Sequence, residues 1–231
     1  MQYAQVFKGK FLQRPNRFVA HVEMEDGRIE VCHVKNTGRC RELLVPGAAV
    51  YLEEGKNPGR KTRFSLIAVE KGERLINMDS QAPNRAAGEW LAQGGLFAPV
   101  TLLKPETRYG DSRFDFYGES RKGDTLERHF VEVKGVTLEE DGVVRFPDAP
   151  TQRGARHLRE LCRCQAEGYF AHVLFVVQME GVSYFAPNEA TDPDFAAALR
   201  EAAAQGVEIR AVDCRVTPDT MTIRQEVPVR L

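Results

Sequence analysis

The stretch HFVEVKGVTL, residues 129–138, carries the pattern from which the fold and the chemistry of this chain are predicted. Its valine, phenylalanine and threonine content is typical of a β-strand, in which alternate side chains point to opposite faces. Glu132 and Lys134 are two residues apart, so both point to the same face of the predicted sheet. A carboxylate beside an ammonium group fits either a charged surface hairpin or a functional site, and the two alternatives must be separated by the rest of the sequence.

The composition indicates a folded globular protein. Of the 231 residues, 42% are hydrophobic and 28% are charged, which provides enough apolar material for one or two domains. The sequence lacks an apolar run of about 18 residues, and its start lacks the apolar segment of a secretory signal. We therefore expect a cytoplasmic protein without a membrane segment. The five cysteines are scattered and lack the paired spacing of a zinc site, so we expect reduced thiols.

The distribution of charge is more informative than the net charge of −1. Residues 1–80 contain 14 Lys and Arg against 10 Asp and Glu, whereas residues 81–231 contain 18 against 23. A nucleic acid is attracted by local positive charge rather than by the average over the chain. A nucleic-acid contact is therefore expected in the first third of the sequence.

Residues 1–80 have the pattern of a small β-barrel. Short alternating runs (RFVAHVEM, RIEVCHVK, AAVYLEE, RFSLIAVEKG and RLINMD) are separated by turn sequences such as EDGR, NTGR and NPGRK. About five strands without a helix predict an OB-like barrel, an architecture that often binds single strands or oligonucleotides.

Residues 81–231 have a different pattern, which predicts a second domain. Pro83 can open a helix, and three strand-like segments follow it up to residue 138. A helix with Thr151 as its N-cap is expected to extend to about Gly168, and the very apolar FAHVLFVVQM is typical of a buried central strand. The segments PDFAAALREAAAQG and VEIRAV predict a further helix and strand. The fold class is α/β (α+β), with an OB-like barrel followed by an α/β domain that has a mixed sheet.

Asp115 adds a second carboxylate to the predicted site. In the sequence RFDF it stands between Phe114 and Phe116, so we expect its carboxylate on the face opposite both rings. A hairpin between this strand and residues 129–138 would bring Asp115 close to Glu132 and Lys134. Two carboxylates suit Mg²⁺ or Mn²⁺, and a lysine can orient a water or offset charge that develops on a phosphate. These three residues therefore predict a site for phosphodiester hydrolysis.

The order of elements and the D…E-V-K motif resemble the PD-(D/E)XK nuclease superfamily, although Phe114 precedes Asp115 where the superfamily name has proline. The whole chain resembles the sugar fermentation stimulation protein family of bacteria and archaea. The resemblance implies DNA binding, an OB-like N-terminal domain and a nuclease-like C-terminal domain. The matching stretches are NTGR at 36–39, NR at 84–85 with Glu89, RFDF at 113–116, VEVKGVTL at 131–138 and FPDAPTQRGARHLREL at 146–161.

The resemblance also implies roles for residues on two helices. Glu89 matches a position where such nucleases often add a carboxylate to the metal site, and the alternative is a solvated helix glutamate. Arg153 and His157 recur on the polar side of the helix that begins at Thr151, where they could meet a phosphate together with free N–H groups. His157 could also carry a proton. The alternative for both is an ordinary exposed helix face.

Two loops of the first domain contain cations and turn residues that can contact phosphates without reading bases. The predicted nucleic-acid-binding residues there are Lys35, Asn36, Thr37, Arg39, Arg41, Arg60, Lys61 and Arg63. A solvated charged surface would have the same composition.

Three functions are compatible with these patterns. The first is a Mg²⁺-dependent nuclease acting on DNA, or on RNA. The second is a non-catalytic DNA-binding regulator of sugar (maltose) metabolism genes, and the third is an accessory protein in nucleic-acid processing. The sequence has no identifiable helix-turn-helix or other base-reading element, so we expect binding that is largely independent of sequence. The oligomeric state stays open.

Overall fold

The structure is a computed structural model that describes residues 1–36, 38–57 and 59–231. The first part of the chain forms a β-barrel, in which β3 also pairs in parallel with β5 and so closes the sheet. The order of its strands is β3-β2-β1-β4-β5-β6. The predicted OB-like barrel is therefore confirmed. Its strands are β1 (Val6–Asn16), β2 (Val19–Met24), β3 (Ile29–Val34), β4 (Ala49–Glu54), β5 (Phe64–Lys71) and β6 (Arg74–Asn77).

The second part of the chain forms an α/β unit around a mixed sheet of order β15-β14-β12-β9-β8-β7. Strands β9, β12 and β14 are parallel to one another, and antiparallel strands lie at both edges. A smaller sheet has the order β10-β11-β13. The elements are α1 (Ala82–Ala92), β7 (Val100–Tyr109), β8 (Ser112–Lys122), β9 (Thr125–Val136), β10 (Leu138–Glu140), β11 (Val143–Phe146), α2 (Gln152–Ala166), β12 (Phe170–Val177), β13 (Tyr184–Pro187), α3 (Pro193–Ala204), β14 (Glu208–Val216) and β15 (Met221–Val227).

Helices cover both faces of the large sheet. Helix α1 packs through Ala86 against a core that includes Val131, and α2 packs through Leu158 against a separate core that includes Phe130. Because β12 lies between these layers, nearly all its side chains are buried, as its apolar sequence predicted. The side chain of Thr151 accepts a hydrogen bond from the Gly154 main-chain nitrogen at 3.0 Å, so the predicted N-cap of α2 is confirmed.

Polar contacts join the barrel to the second domain. The Gln178 side-chain amide donates to the carbonyl oxygens of Asn77 and Asp79 at 3.0 and 3.1 Å. The Glu139 carboxylate, which is 3% exposed, accepts from Lys71 at 2.8 Å and from Arg74 at 2.6 Å. These contacts connect the end of the barrel to β10 and to the residue that follows β12 in the second domain.

The side chains around Asp115 in β8 do not alternate between the two faces of the sheet as the sequence predicted. Phe114 packs on the α2 side, with its ring centroid 5.4 Å from that of Phe130, whereas Phe116 lies on the α1 side against Gly88. The two rings therefore lie on opposite faces, and the prediction that both lie opposite Asp115 is wrong. Regular pairing of β8 with β9 ends at Phe116 and Val131, and the next contact is a hydrogen bond from the Val133 main-chain nitrogen to the Asp115 carboxylate.

None of the helices in the described parts of the chain has the length and apolar character needed to span a bilayer.

Candidate active site between strands β8 and β9

The Asp115 carboxylate lies where β8 separates from β9 and is held by two donors. Its Oδ1 atom accepts from Nδ2 of Asn84 on α1, and its Oδ2 atom accepts from the main-chain nitrogen of Val133, both at 2.7 Å. Burial raises the pKa of Asp115, and the nearby charge of Glu132 raises it further, while the two hydrogen bonds act in the opposite direction. The hydrogen bond to Val133 places the Asp115 carboxylate beside the part of β9 that carries Glu132.

Glu132 has one satisfied and one unsatisfied carboxylate oxygen. Its Oε1 atom contacts Nζ of Lys134 and lies 2.6 Å from Nδ1 of His157. Its Oε2 atom is buried and has no hydrogen-bond partner among the described residues. Burial acts to raise the pKa of Glu132, but the hydrogen bond to His157 and the charge of Lys134 outweigh it, so the pKa is lowered. An ionised, buried oxygen without a donor is a suitable ligand for a cation.

His157 and Arg153 support Glu132 from helix α2. Nε of Arg153 donates to Nε2 of His157 at 3.4 Å, which leaves Nδ1 of the ring to donate to Glu132. His157 is 3% exposed, so its predicted place on an exposed polar face is wrong. The helix turns this ring inward, and its position does not support direct contact with a nucleic acid. Arg153 is exposed at the start of α2, where the sequence predicted a phosphate contact.

Glu89 occupies a position different from the one expected of a metal ligand. Its Oε2 atom accepts from the Met1 amino group at 2.6 Å, and its side chain is 57% exposed. On an α-helix, positions 84 and 89 are about 140° apart, so α1 directs Asn84 rather than Glu89 toward Asp115. Within the described residues, no three His, Cys, Asp or Glu side chains are arranged to hold one metal ion together. The structure therefore does not support Glu89 as a third ligand.

A divalent cation fits the remaining donors. Mg²⁺ is usually bound by one or two carboxylates together with waters and substrate phosphates, and Asp115 and Glu132 supply that number. Lys134, which is 14% exposed, lies on the same side of β9 as Glu132.

Asn84 is the contributor that the sequence reasoning missed. The motif NR at 84–85 marked its position, but only the docking of α1 on the sheet reveals its contact with Asp115.

Two of the predicted nucleic-acid-binding residues in the barrel have structural partners. Lys35 lies 2.8 Å from Glu53 and 3.2 Å from Asp79, and its side chain is 21% exposed, so it is not available as a free cation. Asn36 accepts from the main-chain nitrogen of Gly38 and donates to the carbonyl of Met78. Both residues hold the loop in place, and the prediction that they bind phosphate directly has no support from these contacts.

The other predicted residues of the barrel differ in their availability. Arg60 donates to Ser65, and Arg63 pairs with a glutamate at 2.7 Å, whereas Lys61 is exposed. Arg39 and Arg41 are exposed and line a cavity of about 480 Å³. Thr37 lies outside the described residues.

Comparisons with known proteins cover both parts of the chain. Residues 12–78 match the SfsA N-terminal OB domain, and residues 81–220 match the sugar fermentation stimulation protein RE domain. A sugar fermentation stimulation protein homolog of Clostridium beijerinckii is 55% identical over 231 residues, which cover 100% of both chains. The homolog of Desulfitobacterium hafniense strain Y51 is 53% identical over 231 residues, covering 100% of this chain and 99% of the relative.

A solved structure has the same overall arrangement. The structure of Pyrococcus furiosus SfsA in complex with Ca²⁺ is 33% identical in sequence, with a TM-score of 0.87. The match covers 100% of this chain and 98% of the other. The similarity therefore includes the barrel and the domain with the mixed sheet.

Proposed function

The chain belongs to the sugar fermentation stimulation protein family, and from that premise we propose that it binds DNA and cleaves phosphodiester bonds with a divalent cation. The observation that carries the proposal is the buried, unpartnered Oε2 atom of Glu132, which lies in a site shared with Asp115 and Lys134. A site that only bound DNA would gain nothing from two carboxylates near a phosphate, because both would repel it.

The residues around the two carboxylates orient them for binding a cation. Asn84 and the main chain of Val133 orient Asp115, and His157 orients Glu132. With this support, one oxygen of Glu132 has no donor among the residues that the structure describes. Mg²⁺ or Mn²⁺, when bound, would polarise a phosphate and lower the pKa of a bound water. The related Pyrococcus furiosus structure is described as a complex with Ca²⁺, which supports a hard divalent cation as the occupant here.

Lys134 has the role of a mobile charge in this proposal. In the structure its Nζ atom contacts Glu132, so its charge offsets that of the carboxylate. Once a cation occupies the carboxylates, the ammonium group can turn toward a scissile phosphate or toward the attacking water. It then stabilises charge that develops mainly in the transition state. In this proposal the second domain is a PD-(D/E)XK nuclease domain, which accounts for the placement of these three residues on two adjoining strands.

One observation favours a second candidate function. The described residues contain no cluster of three ligating side chains, so cation binding depends on two carboxylates and on oxygens from water or substrate. If the cation is held too weakly for turnover, the same architecture would serve as a non-catalytic DNA-binding regulator of sugar (maltose) metabolism genes. Both functions place the protein in the cytoplasm, in contact with DNA or RNA.

A cleavage assay tests the proposal. Purified protein would be incubated with single-stranded and double-stranded DNA and RNA, in the presence of Mg²⁺, Mn²⁺, Ca²⁺ or a chelator. We expect cleavage with Mg²⁺ or Mn²⁺ and its loss in Asp115→Asn and Glu132→Gln. Glu89→Gln is the matched control, because the Glu89 carboxylate contacts Met1 and its replacement should leave cleavage intact. If no substrate is cut and calorimetry detects no cation binding with nucleic acid present, the nuclease proposal is wrong.

A further inference from the structure

A cavity lined by arginines lies at one end of the barrel. Its volume is about 480 Å³, and its lining includes Arg14, Arg17, Arg39 and Arg41. The guanidinium of Arg14 is occupied by the protein, because it donates to the carbonyl oxygens of residues 17, 36, 38 and 39 at distances from 2.7 to 3.0 Å. Arg14 therefore ties the turn between β1 and β2 to the segment 38–41 and gives the cavity a fixed frame.

Within the described parts of the chain, the other three arginines have free donors. Arg17, Arg39 and Arg41 are exposed, and in the described parts of the chain no carboxylate lies within ion-pair distance of any of them. This distinguishes them from Lys35 and Arg63, which both pair with carboxylates. Free guanidinium groups around one cavity suit the phosphates of a flexible chain, because each can form two parallel hydrogen bonds.

An exposed aromatic ring belongs to the same turn as Arg17. Phe18 follows Arg17 directly, and its side chain is 55% exposed. Its main-chain nitrogen donates to the Asn16 side chain at 2.9 Å, and its carbonyl accepts from the Val34 nitrogen at 2.8 Å. The ring is thus attached to a well-held turn that also contributes to the cavity. Proteins that bind single strands combine cations for the backbone with aromatic rings on which bases stack.

The segment 38–41 links this cavity to a second cavity at the carboxyl end of β9. Gly38 lies against Asp148, and a Cβ atom at Gly38 would be only 2.5 Å from the Asp148 carboxylate. Asp148 in turn lines a cavity of about 120 Å³ between the domains, together with Asn36 and Gly135. Gly135 follows Lys134 in β9. A strand that leaves the arginine-lined cavity along the segment 38–41 would therefore reach this second cavity, at the end of the strand that carries Glu132 and Lys134.

The depth of the site favours an unpaired strand. The side chains of Glu132 and Lys134 are only 5% and 14% exposed. In a duplex the two strands are held together and the bases already stack on one another, so Phe18 would have no base to bind. A single strand can separate its bases for stacking and can bend into a narrow cleft.

We propose that the nucleic acid recognised by this protein is a single strand. Its phosphates bind Arg17, Arg39 and Arg41, a base stacks on Phe18, and one end enters the cleft beside Gly135. The placement of that end at Glu132 rests on the proposed function, whereas the binding of the strand at the barrel does not depend on cleavage.

Binding measurements test the proposal directly. A fluorescent oligonucleotide of about 16 nucleotides, the upper end of the site of one OB fold, would be compared with its duplex by anisotropy. We expect the single strand to bind at least about tenfold more tightly, and Phe18→Ala to weaken this binding by about tenfold. Phe18→Tyr should preserve it, because tyrosine also stacks. Ile29→Ala is the control, since Ile29 is an apolar residue of the same barrel that is 64% exposed.

The salt dependence identifies the phosphate contacts. Replacement of Arg17, Arg39 and Arg41 by glutamine should reduce the slope of log K against log salt by about 2, since each contact to a single strand contributes about 0.7. The charge-matched control replaces three exposed cations of the β8–β9 hairpin by glutamine, and it should leave the slope unchanged. Its residues are Arg121, Lys122 and Arg128.

The outcomes separate this inference from the proposed function, because the binding is measured in chelator. Equal affinity for duplex and single strand, or full affinity in Phe18→Ala, would overturn the inference even if the protein cleaves DNA. Single-strand binding that depends on Phe18, without any cleavage, would support the inference and contradict the nuclease proposal. Parallel DNA and RNA oligonucleotides show which sugar the site prefers.

Discussion

Nδ1 of His157 lies 2.6 Å from Oε1 of Glu132, which joins helix α2 to the strand that carries the candidate active site. This contact satisfies one oxygen of the carboxylate, and the other has no donor among the described residues. In metal sites, hydrogen bonds from such outer residues orient the ligands and tune their charge. The contact therefore connects the packing of α2 to the affinity for a cation.

Replacement of His157 should weaken cation binding. In His157→Leu the Glu132 carboxylate loses a donor that lowers its pKa, and we expect the affinity for Mn²⁺ to fall by about 10- to 100-fold. His157→Asn is the matched variant, because the asparagine amide can donate from a position close to that of Nδ1. It should recover part of the affinity measured by calorimetry. Equal affinity in the wild type and in His157→Leu would mean that this contact serves only packing.

Cation binding should depend on pH through Asp115. Burial and the charge of Glu132 raise the pKa of Asp115 above its usual value of 3.8, and only the ionised carboxylate can hold a cation. Affinity should therefore weaken as the pH falls, and the decrease should begin at a higher pH than for an ordinary aspartate. Asn84→Ala removes a hydrogen bond that lowers this pKa, so its calorimetric profile should shift to still higher pH. Glu89→Gln should retain the wild-type profile.

The main features of the fold could be predicted because they follow local periodicity. Alternating and apolar runs identified β2 to β6 and the buried strand β12. Strand β1 was not predicted, because its sequence lacks a clear alternation of apolar residues. Only Gly9 and Phe11 of this strand are buried. It forms a strand because its main chain pairs with β2 and β4, and this pairing is not visible in its own residues.

The site could be predicted only where one strand contains the relevant residues. The two-residue spacing of Glu132 and Lys134 places them on one side of β9 without any long-range information. The partner of Asp115 depends instead on how α1 rotates against the sheet, and that rotation selects Asn84 rather than Glu89. The inward direction of His157 likewise depends on the docking of α2. Tertiary packing decides such contacts, and a single sequence does not encode it in any short pattern.

Glu139 should contribute more to stability than the neighbouring Glu140. The buried Glu139 carboxylate accepts from Lys71, Arg74 and the Gly142 main chain, so Glu139→Gln should lower the free energy of unfolding by about 1–3 kcal/mol. Glu140 is 69% exposed and lies 3.4 Å from one arginine, so Glu140→Gln should cost less than about 1 kcal/mol. Urea denaturation measures both. Similar values for the two variants would indicate that the contacts between the domains add little to stability.

A buried pair of histidines should make the protein sensitive to acid. Nδ1 of His129 lies 3.1 Å from Nε2 of His172, and Nε2 of His129 lies 2.9 Å from Oγ of Ser120. The ring of Phe97 stacks on His129. Nδ1 of His172 lies 2.7 Å from Oε2 of Glu208. Burial, together with the neighbouring His172, lowers the pKa of His129 from 6.5 to about 4, against the opposing charge of Glu208. The unfolded chain therefore takes up a proton at this position more readily than the folded protein does.

The resulting stabilisation is present at pH values above 6.5 and is lost as the pH falls toward 4. By about pH 4 we expect a loss on the order of 3 kcal/mol, and urea denaturation at several pH values would measure it. His129→Gln has no imidazole to protonate at this position. Between neutral pH and about pH 4 its free energy of unfolding should therefore fall less than that of the wild type, and the difference should be on the order of 3 kcal/mol. His21→Gln, at a histidine that contacts Gln13 on the barrel, tests whether any histidine replacement has this effect. If His129→Gln and the wild type lose equal stability in acid, proton uptake by His129 does not contribute. The acid sensitivity would then arise from other groups.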